Sequence, residues 1–186
     1  MKILYIKNMV CNRCIMVVQS LLERHGLAVG HIKLGEVSLV QELPEELQPI
    51  LAEELRALGF ELIDDRRHRL AEQVRVAVIE LAHYSEEGQR TNLSEYIADR
   101  LNMDYDTAAE LFSAIHGTTV EKFYIAQRIE RVKELLMYNE LSLNEIAYRM
   151  GYSSAAHLSA QFKRITGITP TAFRQHHNSR RPLDEI

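Results

Sequence analysis

The chain has no tryptophan, only two cysteines, four prolines and eight glycines among its 186 residues. Two cysteines cannot staple a small secreted scaffold, so a disulfide-rich protein is excluded and a reducing cytoplasm is the expected compartment. No apolar run approaches the roughly 20 residues that a membrane-spanning helix needs, and the N-terminus lacks the long apolar segment of a secretion signal. With no Ser- or Gln-rich tract either, we expect a folded cytoplasmic protein without a membrane partner.

Charge of one sign is also missing from this sequence. Lys and Arg number 22 against 26 Asp and Glu, and the resulting net charge of −4 excludes a uniformly basic nucleic-acid coat. The excess acid lies in residues 1–65, which carry 10 acidic and 6 basic side chains, whereas residues 88–183 carry 10 acidic and 12 basic ones. The modest basicity of the C-terminal half favours two domains with different roles.

The first 65 residues have the patterning of four short strands and two helices. Apolar and polar residues alternate in the strand-like stretches, and the helix-like stretches have spacings of three and four and end at Gly. The order βαββαβ predicts an α+β, ferredoxin-like sandwich. The predicted elements are strands at residues 2–10, 29–34, 37–41 and 60–63, and helices at residues 15–25 and from Pro44 to Gly59.

Cys11 and Cys14 lie between the first predicted strand and the first predicted helix. Both thiols therefore stand at a helix N-terminus, where the helix dipole favours thiolates. Two soft thiolates this close suit one Cu(I) ion, or half of a four-ligand Zn(II) site pooled by two chains. The alternative is an interaction module, including a homodimer module, with two incidental thiols. A thioredoxin-like redox site is less favoured, because the Trp that usually precedes that motif is absent.

The segment Met9-Val10-Cys11-Asn12-Arg13-Cys14, with Leu58-Gly59-Phe60 before the last strand, resembles the heavy-metal-associated (HMA) domain of copper chaperones and metal-pumping ATPases. The resemblance covers about residues 1–65 and implies that Cys11 and Cys14 are the metal ligands. The sequence departs from that family at two loop positions, since Asn8 stands for the usual Gly and Val10 for the usual Thr.

A connecting segment is predicted over residues 66–88. A charge run at residues 64–69 is interpreted as a solvated link into a helix from about residue 67 to 84, in which apolar side chains recur at spacings of three and four. We expect this helix to pack on the first of the helix-turn-helix units described next, and so to belong to the C-terminal half. Residues 85–90 are predicted to form a loop.

From residue 92 the chain repeats itself at an offset of 49 to 50 residues. Each copy has a helix, a tight turn, a second helix ended by Gly and a new helix start, which predicts an all-α domain with two helix-turn-helix units. Capping-box spacing marks helix starts at Ser142 and Thr118, and a long helix over residues 120–138 joins the copies. The matching residues are Ile97, Ala98, Arg100, Phe112, Gly117, Thr119 and Phe123 in the first copy and Ile146, Ala147, Arg149, Phe162, Gly167, Thr169 and Phe173 in the second.

The second copy, residues 143–174, closely resembles the signature of the AraC family of transcription regulators. The resemblance covers about residues 90–175 and implies binding to double-stranded DNA. Two recognition helices could then address major grooves one turn, roughly 34 Å, apart.

Carried over by position, the second recognition helix begins near Ser154. We expect Leu158, Phe162 and Ile165 to lie in the core and His157 at the groove edge or surface. The base-facing positions are Ala155, Ala156, Ser159 and Ala160, and the candidates for phosphate contact are Arg149, Lys163 and Arg164.

The two recognition helices carry opposite charge. The first, residues 104–116, has three acids and no Lys or Arg, whereas the second, residues 154–166, has Lys163 and Arg164 and no acid. Because carboxylates that face phosphates oppose binding, we expect the second unit to dominate DNA affinity. The first unit is expected to contribute little, or to contact a protein such as RNA polymerase.

The expected organisation is an HMA-like domain at residues 1–65, the connecting segment at 66–88, an AraC-type domain at 89–177 and a tail at 178–186. The expected function is a sequence-specific DNA-binding transcription regulator whose first domain is a metal sensor or an interaction module. The alternative is a metal chaperone or adaptor whose helical half docks a protein partner. No Ser–His–Asp arrangement, phosphate-cradling Gly loop or HExxH motif occurs, so no enzyme activity is expected.

Overall fold

The structure is a computed structural model that describes residues 2–63, 65–84 and 92–178. The predicted loop at residues 85–90 and the tail beyond Asn178 lie outside the described residues. Two compact units are distinguished by their internal contacts: unit 1 comprises residues 1–77 and 97–118, and unit 2 comprises residues 78–96 and 119–186. No helix among the described residues is long and apolar enough to cross a membrane.

The N-terminal part of unit 1 contains a small four-stranded sheet with the strand order β2-β3-β1-β4. Every neighbouring pair of strands is antiparallel. A sheet in this part of the chain is what the sequence predicts, whereas its assignment to the ferredoxin-like class stays a prediction. The elements are β1 (Lys2–Lys7), α1 (Asn12–Arg24), β2 (Val29–Lys33), β3 (Glu36–Leu39), α2 (Leu47–Ala57) and β4 (Glu61–Leu62).

The alternation along β1 and β3 builds the core of this sheet. Leu4 and Ile6 of β1 and Val37 and Leu39 of β3 are buried, because residues two apart on a strand point to the same face. The apolar sides of α1 and α2 complete the cluster. Its buried helix residues are Val18, Leu21 and Leu22 of α1 and Leu51 and Leu55 of α2.

Three predicted boundaries in this region are wrong by three residues. Helix α1 begins at Asn12 instead of residue 15, because Cys11 is already its N-cap. Strand β1 ends at Lys7 instead of residue 10, because Asn8 has a φ of 72°, a left-handed conformation that interrupts a strand. Helix α2 begins at Leu47 instead of Pro44. Pro44 lies in a turn before the helix, and its carbonyl oxygen accepts a hydrogen bond of 3.0 Å from the Leu47 N–H.

Helix α3 (Arg66–Tyr84) is buried on nearly all sides between Ala71 and Ala82, so it has more than the single apolar stripe expected. Its residues 66–77 share unit 1 with the sheet and with residues 97–118. The Arg69 guanidinium lies 5.0 Å from the centroid of the Tyr5 ring, and a Cβ added at Gly35 would lie 3.2 Å from Val76 Cγ2. Unit 1 thus groups these residues both with residues 97–118, on which α3 is expected to pack, and with the sheet. The assignment of α3 to the C-terminal half stays a prediction.

The compact units cut the chain differently from the linear domain boundaries of the sequence analysis. The linear boundaries describe domains that would fold when separated from each other, and they stay a prediction. The remaining elements are α4 (Leu93–Leu101), α5 (Tyr105–His116), α6 (Val120–Tyr138), α7 (Leu143–Arg149), α8 (Ala155–Thr166) and α9 (Pro170–Asn178).

The sequence repeat is visible in the backbone of the two helix-turn-helix units. Asn102 and Gly151 occupy matching positions and both have positive φ, at 49° and 66°. One residue further on, the Met103 N–H donates to the Ala98 carbonyl at 3.2 Å, and the Tyr152 N–H donates to the Ala147 carbonyl at 2.8 Å. Both copies thus contain a turn of the same kind, and the one extra residue of the second copy lies after it.

Capping side chains fix the helix starts. The capping box of Ser142 and Glu145 is confirmed at α7. Helix α6, however, is capped by Thr119, whose hydroxyl accepts from the Lys122 N–H at 3.3 Å, so the prediction of Thr118 is wrong by one residue. Capping-box spacing favours Thr118, because Glu121 lies three residues after it, but the helical backbone begins one residue later.

The core of unit 2 lies between α6, α7 and α8. Phe162 of α8 is fully buried and its ring meets that of Phe173 edge to face at 5.6 Å. The other buried residues of this cluster are Ile129, Val132, Leu135, Leu136, Ile146, Ala147, Tyr152 and Leu158.

Candidate nucleic-acid interface and thiol pair

Helix α8 contains the residues predicted to form the second recognition helix, and Ser154 is its N-cap, with a hydroxyl that accepts from the His157 N–H at 3.1 Å. Leu158 and Phe162 are fully buried, as expected. Ile165 is 48% exposed, so its assignment to the core is wrong. Its spacing fits the apolar side of the helix, but spacing does not tell how far along a helix the core extends.

Most of the residues predicted to face DNA lie together on α8. Arg149 lies on α7, where it is half-buried. The α8 face carries two cations in the last turn and no carboxylate, which suits contact with a polyanion. Ser154, Ala156, His157, Ala160, Lys163 and Arg164 are exposed, and Ala155 and Ser159 are half-buried.

Helix α5, the predicted first recognition helix, has a different surface. Asp104 is its N-cap and accepts a hydrogen bond of 3.1 Å from the Thr107 N–H, so one of its three acids has a local structural role. Asp106 and Glu110 are exposed on the helix. The acid-rich character predicted from the sequence is therefore a surface property at these two positions.

The two thiols meet at the start of α1. Cys11 is the N-cap residue, and its Sγ lies 3.5 Å from Cys14 Sγ. The nearby Cys14 backbone N–H lowers the pKa of the Cys11 thiol, against the opposing effect of partial burial. Both side chains are partly accessible.

The donor set fits a soft ion held by two sulfurs. Zn–S bonds are about 2.3 Å long, so sulfurs 3.5 Å apart are close enough for one ion to contact both. Within residues 2–63, 65–84 and 92–178, no group of three or more His, Cys, Asp or Glu side chains is placed to hold a metal. Met9 is fully buried. Two-coordinate Cu(I), or zinc shared by two chains, remains the chemistry that suits the pair.

Asn8 links the thiol loop to its surroundings in unit 1. Its carbonyl oxygen lies 3.9 Å from Cys14 Sγ, and its side-chain amide donates to the Gly59 carbonyl at 3.0 Å. Its backbone N–H donates to Glu72 Oε1 of α3 at 3.2 Å. Asn tolerates the left-handed conformation better than most residues, which explains how it can stand where the HMA pattern has Gly.

Glu72 is a residue that the sequence analysis missed. It is only 4% exposed, Oε1 also accepts from Arg75 at 2.8 Å, and Oε2 is buried without a partner. Burial raises the pKa of its carboxyl group, while Arg75 and the Asn8 N–H act in the opposite direction. Nothing in the helical pattern around residue 72 distinguishes it from an exposed glutamate.

The raised pKa predicts a pH dependence for Glu72. The folded chain holds this proton more tightly than the unfolded chain, so wild type should lose stability as the pH rises from the ordinary value of 4.5 through the folded pKa. We expect Glu72→Gln to be more stable than wild type at pH 7, with the difference shrinking below pH 4.5. Urea unfolding followed by circular dichroism across this range measures it.

Glu145 provides a control of opposite sign. Hydrogen bonds from the Ser142 side chain and backbone lower the pKa of its exposed carboxyl group, so its contribution is present above 4.5 and is lost as the pH falls through the folded pKa. Glu145→Gln should therefore be less stable than wild type at pH 7. The same sign for both variants would contradict the role given to Glu72.

Known proteins are similar to the helical part of the chain. The family model described as a helix-turn-helix domain matches residues 97–176. The chain is similar to the HTH-type transcriptional activator RhaS of Escherichia coli, at 32% identity over 94 residues, which cover 45% of this chain and 33% of RhaS. It is also similar to the HTH-type transcriptional regulator ExsA of Pseudomonas aeruginosa, at 28% identity over 156 residues, which cover 80% of this chain and 55% of ExsA. The chain spans about a third to about half of the length of these relatives.

Solved structures share the helical fold. The DNA-binding domain of the global transcriptional factor AdpA, crystallised in complex with a target DNA, is 30% identical with a TM-score of 0.50, over 61% of this chain and 96% of that chain. A DNA-binding transcriptional dual regulator from Escherichia coli K-12 is 19% identical with a TM-score of 0.51, over 60% of this chain and 94% of that chain. The second likeness concerns the fold alone.

Proposed function

We propose that this chain, in which residues 97–176 form a helix-turn-helix domain of the AraC type, is a transcription regulator that binds double-stranded DNA sequence-specifically. The observation that carries the proposal is the exposed face of α8, which holds Lys163 and Arg164 and no carboxylate. The similarity to the AdpA domain crystallised with its target DNA supports it.

In this proposal α8 lies in the major groove and its N-terminal turns read bases. The side chains of Ala155, Ala156, Ser159 and Ala160 are small, so the helix can approach the base edges closely. Alanine methyl groups contact the thymine methyl, and a serine hydroxyl can donate or accept. Contacts from the last turn of α8 to phosphates would fix the register of the helix without reading sequence.

For the N-terminal sheet and its helices we propose a ferredoxin-like sandwich that acts as a metal sensor. The strand order, in which β1 lies between β3 and β4, supports the fold, and the 3.5 Å approach of Cys11 Sγ and Cys14 Sγ supports the sensor role. A bound soft ion would be held by these two sulfurs. The reducing cytoplasm, where regulatory DNA and free thiols coexist, is the proposed compartment.

Selection from a pool of random DNA duplexes tests the main proposal. The full chain, at about 0.15 M salt, should enrich a defined sequence and then shift that duplex in gel electrophoresis. Specific sites typically bind at least about 10³-fold more tightly than random duplex. Enrichment of no sequence, with equal affinity for every duplex, would overturn the proposal.

Metal titration tests the sensor role separately. The reduced full chain should take up one Cu(I) ion, or one zinc ion for every two chains, and a variant with Cys11→Ser and Cys14→Ser should take up neither at this site. Because binding needs deprotonated thiols, affinity should fall as the pH drops. Competition with a chromophoric Cu(I) chelator measures the affinity. Equal uptake by wild type and the double variant removes the metal role and leaves the interaction module.

A further inference from the structure

Arg128 of α6 contacts the turn that connects α7 to α8, the proposed recognition helix. Its guanidinium lies 4.1 Å from the centroid of the Tyr152 ring and 5.5 Å from that of Tyr124. It also donates a hydrogen bond to the Met150 carbonyl oxygen. Met150 and Tyr152 belong to the turn between α7 and α8, so one side chain of α6 contacts this turn in two ways.

Tyr152 in turn contacts α8. It is only 6% exposed, and its hydroxyl donates to Gln161 Oε1 at 2.6 Å, in the middle of the recognition helix. Its ring also meets the His157 ring at 5.4 Å with planes nearly perpendicular. The ring and the hydroxyl of Tyr152 thus touch two successive turns of α8.

The repeat does not supply Tyr152 and Gln161 in the first helix-turn-helix unit. At the positions that match Tyr152 and Gln161 by the repeat, that unit has Met103 and Leu111, which offer neither an aromatic face nor a hydrogen-bonding pair. The backbone of the turn is nonetheless the same in both copies. The pair of Tyr152 and Gln161 is therefore an addition to the repeated pattern, and it occurs in the helix-turn-helix unit that carries the basic recognition helix.

The chemistry of the contact requires arginine in particular. A planar guanidinium can stack on an aromatic ring and donate to a carbonyl oxygen at the same time, whereas an ammonium group is a compact point charge. A hydrogen bond from a charged donor is stronger than one between neutral groups. The stacked and bonded guanidinium restrains both the position and the rotation of the turn.

We propose that Arg128 is a positioning residue for DNA reading, acting through Tyr152 to set the orientation of α8 relative to α6. This inference rests on the proposed function and adds a specificity determinant that lies outside the recognition helix. Since Ala155 and Ala156 follow the turn directly, a rotation of the turn displaces the proposed base-reading residues first. The phosphate contacts of the last turn depend less on that rotation.

The test uses the full chain with Arg128→Lys, which keeps the positive charge, and Arg131→Lys as the matched control. Arg131 lies on the same helix, but its guanidinium pairs with Glu134 at 2.5 Å. Affinity is measured for the selected DNA site and for random duplex, each as a function of salt. Hydrogen exchange of the backbone is measured without DNA.

Arg128→Lys should weaken binding to the selected site at least tenfold, with random-duplex affinity within twofold of wild type and the salt slope unchanged. Exchange should rise at residues 150–161 and stay unchanged in α9. Arg131→Lys should match wild type in all three measurements. Unchanged site affinity would overturn the positioning role, whatever the exchange result. A parallel loss for both duplexes with a shallower salt slope would also overturn it, because that result identifies a phosphate contact.

Failure of the proposed function is distinguishable from failure of this inference. If wild type itself does not prefer any sequence, the DNA proposal fails, and the exchange measurement alone then decides whether Arg128 orders the turn. If wild type discriminates and Arg128→Lys discriminates equally well, only the positioning role fails.

Discussion

Replacing Lys163 and Arg164 together with alanine is expected to weaken DNA binding about 60-fold at 0.1 M salt. Each lost phosphate contact removes about 0.9 from the slope of log affinity against log salt, so the loss of two contacts costs about 1.8 log units of affinity between 1 M and 0.1 M salt. Both side chains are exposed in the last turn of α8, where no carboxylate on the helix opposes them. The salt slope should therefore fall by about 1.8. Fluorescence anisotropy with the selected duplex and with random duplex, from 0.05 to about 0.3 M salt, measures both quantities.

The loss should be similar for both duplexes, because phosphate contacts carry no sequence information. Glu110→Ala is the matched change in the first unit: it removes an exposed acid from α5 and should leave affinity unchanged or raise it. The opposite pattern, in which Glu110→Ala abolishes specific binding and the double change is tolerated, would show that the first unit is the dominant reader. Glu110 would then be accepting a hydrogen bond from a base such as cytosine.

The sequence predicts the second helix-turn-helix unit closely because its signals are local. The Ser142 capping box and the glycine after α8 each act within a few residues, so their spacing is enough to set helix boundaries, whereas the start near Ser154 came from the resemblance to the AraC family. Leu158 and Phe162 follow from helical periodicity for the same reason. The positions of α8 predicted to face DNA came instead from the resemblance to the AraC family.

Features that depend on distant parts of the chain could not be predicted. Glu72 is buried by residues of other elements, including Asn8, which lies 64 positions away. The stacking of Arg128 on Tyr152 joins residues 24 positions apart and leaves no periodic trace. The apolar stripe of α3 shows that the helix must be buried, but periodicity does not name the partner. That is why the grouping of residues 66–77 with the sheet emerged only from the folded chain.

Phe162→Ala and Phe112→Ala occupy matching positions of the repeat, and each is expected to cost about 3–5 kcal/mol of unfolding free energy, the range for truncating a fully buried phenylalanine. Both rings have no exposed surface. Phe162 meets the ring of Phe173 in unit 2, whereas Phe112 stacks on His116 of unit 1 at 4.5 Å. The two changes therefore have the same chemistry and different neighbours.

The increase in hydrogen exchange caused by each change should be confined to its own compact unit, unit 1 or unit 2. It should not follow the linear domain boundaries. Hydrogen exchange resolved along the chain is the measurement, because it reports the opening free energy of each region. Phe162→Ala should raise exchange across residues 119–178 and abolish DNA binding, with residues 2–63 still protected. Phe112→Ala should raise exchange across residues 97–118 and also in the sheet and residues 65–77, because these belong to the same compact unit. If Phe112→Ala instead opens residues 92–178 together and leaves the sheet protected, the first helix-turn-helix unit belongs with the second. The linear domains would then be the folding units, and the compact grouping would be wrong.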